Sequence, residues 1–108
     1  MLTYKVLAQS NPNAATLTEA YAVPASTETT VSTIVVCNRS NVATSFRVAV
    51  QVSGAGDNNK TYLYYDTPIQ GNDTMAATLG ITLAATDEIH VYATLATLSF
   101  NVFGRERT

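Results

Sequence analysis

The chain has 108 residues, of which 46% are hydrophobic and 13% charged, with a net charge of −2 and one cysteine. The apolar share excludes a disordered chain and the length predicts one domain, while a charged share about half the usual ~25% leaves Thr, Ser, Asn and Gln to cover much of the surface. Scattered cations exclude a nucleic-acid partner, no apolar run approaches the roughly 18–20 residues of a membrane span, and Cys37 has no second cysteine to pair with.

Residues 2–9 alternate weakly, with Leu2, Tyr4, Val6 and Ala8 on one side, and stop at the turn-forming run Ser10-Asn11-Pro12-Asn13. This is a first strand or an arm. No basic stretch followed by a long apolar one occurs in MLTYKVLAQSNP, so no leader peptide is expected. Residues 17–23 (LTEAYAV) predict a second short strand, closed by Pro24, whose missing N–H favours an edge position. Together, residues 1–24 read as edge strands or as an inter-subunit arm.

Residues 27–38 and 44–52 are the strongest strand signals, joined by Arg39-Ser40-Asn41, and are expected to form a hairpin. In the second, Phe46, Val48, Val50 and Val52 alternate with Ser45, Arg47, Ala49 and Gln51, as on a sheet with one buried face. In the first, the consecutive Ile34, Val35 and Val36 suggest a central strand buried on both sides. The run from Ser53 to Lys60, rich in glycine and asparagine, is a hairpin loop.

Residues 61–66 (TYLYYD) have high β-propensity and lead to Pro68, where the chain must turn or run along a sheet edge. After the turn at Gly71-Asn72-Asp73, residues 74–83 read as a strand in which Gly80 marks a bulge or a close backbone approach. Residues 87–94 and 97–103 are expected to be a final pair, with Ile89, Val91, Ala93, Leu98, Phe100 and Val102 facing inward. No segment carries the helical apolar period. The prediction is therefore an all-β, single-domain antiparallel β-sandwich of about eight strands, Ig-like or jelly-roll-like.

Chemistry is sparsely signalled. Cys37 and His90 are the sole candidates for a thiol–imidazole dyad, but both fall inside strands; Cys37 reads as a small buried side chain and His90 as a residue of the wet face beside Tyr92. One His and one Cys also fall short of a zinc site unless subunits share it. Asp57, Asp73 and Asp87 sit at strand ends, where Asp satisfies free backbone N–H groups, and nothing fixes two carboxylates at a working distance for glycoside hydrolysis. Asp57-Asn58-Asn59 offers oxygens to calcium without the spacing of an EF-hand loop. The expectation is no catalytic residue, no cofactor and no metal ligand.

Tyr62, Tyr64 and Tyr65 form the one cluster suited to recognition. Strict alternation would place Tyr62 and Tyr64 on one face, with Leu63 and Tyr65 on the other. Exposed tyrosines anchor protein interfaces and also stack on sugars; so little charge surrounds these that an interface is the first reading. Tyr62, Tyr64, Tyr4 and Tyr21 are the candidate interface or ligand residues.

The segments STIVVCNRS, FRVAV, YLYYD, NDT with GITLAATD, and LSFNVFG, spread over nearly the whole chain, resemble a family of small tailed-bacteriophage virion proteins, mostly uncharacterised or tail-associated. That resemblance implies a non-enzymatic structural subunit located in the virion and made in the host bacterial cytoplasm. It implies a homo-oligomer, a trimer before a dimer, in contact with other virion proteins. Tail fibre or baseplate accessory is the first position it suggests and capsid decoration the second. A carbohydrate-binding module for host-surface glycans, using Tyr62 and Tyr64 as a platform, is the alternative of another class, and a small hydrolase a third. Membrane insertion is not expected.

Overall fold

The computed structural model describes residues 1–56 and 58–108. Eight strands follow in order: β1 (Leu2–Ser10), β2 (Thr18–Ala22), β3 (Glu28–Asn38), β4 (Thr44–Gln51), β5 (Tyr62–Ile69), β6 (Thr74–Leu83), β7 (Glu88–Ala93) and β8 (Leu98–Arg107). They form two four-stranded sheets, one ordered β1-β8-β3-β6 and the other β2-β7-β4-β5. Among the described residues no helix is long and apolar enough to cross a membrane.

Every strand pair is antiparallel, and the pairs nest: β4 with β5, β3 with β6, β2 with β7 and β1 with β8. Successive strands therefore jump between sheets everywhere except at β4–β5. A long antiparallel ribbon rolled up in this way is a jelly roll, and this order separates it from the Ig-like alternative.

The nesting corrects two expected hairpins. β3 and β4 lie in opposite sheets, as do β7 and β8, so neither pair shares a ladder. The turn after β3 is a crossover, held by Asn38, whose buried amide donates to the carbonyls of Val42 and Gln70 and accepts from the Ser40 N–H. A polar residue satisfied on three sides fixes a loop that would otherwise carry unpaired backbone into the sandwich end.

The core lies between the sheets. Ile34, Val36, Phe46, Val48, Ile89, Val91, Leu98, Phe100 and Val102 are all buried, and Phe46 stands edge-on to Phe100 with ring centroids 6.1 Å apart. Val50 also faces in, opposite Ile89, but is half-buried near the sandwich end. Val52 lies past the end of β4 and is exposed, contrary to the alternation. β3 is central, yet only one face is buried: Val35 and Cys37 are half-exposed on the outer face, so Cys37 is not a core residue.

Gly80 sits at a register shift between β3 and β6 with open space where a Cβ would be, so it marks a bulge and no close approach. Close approaches are at Gly104, where a Cβ would stand 2.1 Å from the Thr30 carbonyl oxygen, and at Gly71, where it would stand 2.3 Å from that of Asn41. Asp87 accepts from the backbone N–H groups of Ser53 and Ala84, and Asp73 from that of Thr74, the turn role expected of both. Asp57, and with it the proposed calcium turn, lies outside the described residues.

Candidate interaction surfaces

β1 and β2 are the edge strands at one side of the two sheets. β1 runs antiparallel to β8 of its own chain from Leu2 to Ser10, so it is a strand of its own sheet and not a free arm. The pleat sends Lys5 toward the gap between the sheets, where its ammonium donates to Glu106 Oε1 at 3.1 Å. It sends Leu2, Tyr4 and Val6 outward, exposed to 45%, 72% and 48%. Three large apolar side chains thus line an edge whose outward backbone groups have no ladder partner among the described residues, with Lys5 as the only charge on the strand. Beside them, a groove of about 440 Å³ crosses the ends of β1, β3, β6 and β8, with Leu2, Leu83, Glu28, Arg105 and Arg107 in its walls.

The outer face of the other sheet is organised by bulges in β5. Register shifts fall between Phe46 and Val48 and between Val48 and Ala49 of β4, so β5 carries extra residues there. Asp66, at φ 48°, takes up the left-handed conformation one of them requires. Its carboxylate then lies against Arg47, 2.6 Å from Nε and 3.3 Å from Nη2. The guanidinium is packed between Tyr65 and Tyr92, with its carbon 4.2 Å and 4.4 Å from the ring centroids. Two hydrogen bonds to Asp66 raise the Arg47 pKa further above its ordinary value.

The same bulges correct the reading of the tyrosines. Tyr64 is opposite Val48 and packs inward on Phe46, centroids 5.9 Å apart, whereas Tyr62 is opposite Ala49 on the outer face. Tyr62 there meets Tyr65 edge-on, at 4.9 Å and 81°. Tyr62 and Tyr64 therefore form no common platform, and the outer pair is crossed and not flat. Tyr21 is also not a surface residue: it is 8% exposed, and its hydroxyl bonds with Thr29 and Glu106 in the sandwich interior. Burial, then the Glu106 carboxylate, push its pKa up to about 12. Of the four candidate tyrosines, Tyr4 alone is fully exposed.

Cys37 and His90 point from the outer faces of opposite sheets and do not meet. His90 instead stands with Glu88, its neighbour two residues back, and Glu19, its partner across the β2–β7 ladder. A bulge between Glu19 and Tyr21 lets the first point outward and the second inward. Alternation alone would have put both on one face, so this grouping was invisible in the sequence.

The two surfaces belong to a jelly-roll domain with one apolar open edge and one polar, tyrosine-rich outer face. No known protein family, no curated protein and no solved structure matches the chain.

Proposed function

We propose that the protein is a non-enzymatic structural subunit of a tailed-bacteriophage virion, a tail-fibre or baseplate accessory working through contacts between copies of itself. The observation that carries this is the outward row Leu2, Tyr4 and Val6 on the open edge of β1. A long edge strand with apolar side chains and one lysine is a template for adding another strand; its one bulge, at Leu7, comes after the apolar row and leaves residues 2–6 in regular register with β8. A second copy of the chain offers the same edge. The nested topology supports the reading in a general way, since jelly rolls serve in viral shells, although the same fold also serves lectins and cupins. The glycan-platform alternative loses its support, because the paired tyrosines it needs face opposite ways.

The test is mass spectrometry of density-gradient-purified phage particles from lysed host cells. Peptides of this chain should appear in particles at a fixed stoichiometry, and electron microscopy of labelled particles should place them on the tail. Their absence from particles, with the protein abundant in the unassembled fraction, overturns the proposal.

A further inference from the structure

We infer that Glu19, Glu88 and His90 form a binding site for a divalent transition-metal ion of the zinc type on the outer face of the β2-β7-β4-β5 sheet. One donor atom from each of the three side chains lies within 4.8 Å of the others, and His90 Nε2 is 2.9 Å from Glu88 Oε1. A tetrahedral ion with bonds near 2.1 Å holds its donors about 3.4 Å apart, so rotamer adjustments alone bring these three into position. The framework is rigid where it matters. Glu88 and His90 are i and i+2 on β7, which interior strand pairing holds on both sides, and Glu19 is the register partner of His90.

The imidazole distinguishes this group from an acidic surface patch. Carboxylates alone suit calcium or magnesium, whereas a mixed nitrogen and oxygen set suits zinc, cobalt or nickel. Two further features fit a metal. Glu19 has no hydrogen bond or ion pair among the described residues, although it faces a second carboxylate, a placement a cation would relieve. Gln51, only 6% exposed, has its side-chain amide nitrogen 3.4 Å from His90 Nδ1. A metal-bound histidine needs a partner for its other ring nitrogen, and with the ion on Nε2 a half-turn of the Gln51 amide would present its oxygen to the Nδ1 proton. Three protein ligands leave a fourth position open to water at the sheet's edge.

The experiment uses untagged full-length protein stripped with chelator and titrated with cobalt(II) chloride. Visible d–d absorption of a four- or five-coordinate ion should saturate at one equivalent and be displaced by zinc. Glu19→Gln, whose side chain is exposed and leaves the fold untouched, and His90→Gln should each weaken binding by more than about a hundredfold, beyond what losing an outer partner costs. Cys37→Ser should bind as the parent does. The inference is overturned by no cobalt spectrum at millimolar metal, by binding that survives Glu19→Gln in a protein of unchanged circular dichroism, or by calcium competing as well as zinc.

Discussion

The Tyr21 hydroxyl, from the edge strand of one sheet, donates a 2.5 Å hydrogen bond to Glu106 Oε2 on the other, tying the two layers together. Thr29 and Lys5 complete the group, at 2.8 Å from the Tyr21 oxygen and 3.1 Å from Glu106 Oε1. It is a polar network in the place where the ends of β1 and β2 would otherwise need apolar packing, and its members are mutually satisfied.

Tyr21→Phe should therefore destabilise the fold by about 1.5–3 kcal/mol, the usual worth of a buried hydrogen bond to a charged group. The network also shapes the pH profile. The Tyr21 hydrogen bond holds the Glu106 pKa below its ordinary 4.5, so its contribution is complete above that value and fades as acid protonates the folded state. The Tyr21 pKa is raised from 10.0 to about 12, so its contribution is complete below pH 10 and lost between there and about 12. Urea unfolding across pH should show both limbs in the parent. In Tyr21→Phe the alkaline limb should shrink, and an unchanged limb would remove Tyr21 from the network.

Gly104→Ala should cost about 3 kcal/mol or more, because the new methyl would meet the Thr30 carbonyl oxygen at 2.1 Å and the Leu7 side chain at 3.0 Å. Backbone cannot yield there without breaking the ladder that β8 shares with β3. Gly80→Ala is the contrast: its site is open, and the substitution should be neutral or stabilise by up to about 1 kcal/mol through the unfolded chain. Thermal melting of the two variants checks both signs.

All eight strands were legible from turn residues and from the period of two, and so were the buried positions from Ile34 to Val102. What alternation hides is the partner of each strand and the place of each bulge. Residues 29–52 look like a hairpin because both strands are strongly apolar and the turn is short, yet that turn crosses between layers, a choice set by Asn38 and by the global winding. Likewise TYLYYD cannot announce that Leu63 and Asp66 sit at irregular register, and a slip of one residue at Leu63 parts Tyr62 from the inward Tyr64 and sends it outward beside Tyr65. Glu19 and His90 become neighbours only through pairing remote in sequence.

Arg47→Lys should cost about 1–2 kcal/mol although the charge is kept. The ion pair with Asp66 is partly exposed, so by itself it is worth at most about 1 kcal/mol. The greater loss is geometric, since an ammonium cannot make the two-pronged contact with Asp66 or lie flat between Tyr65 and Tyr92. Near-ultraviolet circular dichroism should lose tyrosine signal in this variant, and a spectrum and midpoint equal to the parent's would show that the stack contributes nothing in solution.

The edge of β1 yields the prediction closest to function. Tyr4 and Val6 point outward from a strand already paired with β8, so replacing both by lysine leaves the β1–β8 ladder and the Lys5–Glu106 ion pair on the opposite face of β1 in place. The change adds charge along the open side, which is how soluble proteins discourage strand addition. An edge that pairs antiparallel with its own copy does so about a two-fold axis, merging two four-stranded sheets into one and bringing the two apolar rows side by side. The parent should then scatter light as a dimer of the 11.5 kDa chain at micromolar concentration, and Tyr4→Lys/Val6→Lys should scatter as a monomer with unchanged circular dichroism. A trimer that the double substitution dissociates would keep the apolar row and replace the two-fold with the three-fold arrangement the virion resemblance implies. A monomeric parent, or an oligomer indifferent to the two lysines, would remove β1 as the contact. Truncating the N-terminus is the weaker test, because removing β1 strips a strand from the sheet and exposes β8, so loss of assembly could not be separated from loss of the fold.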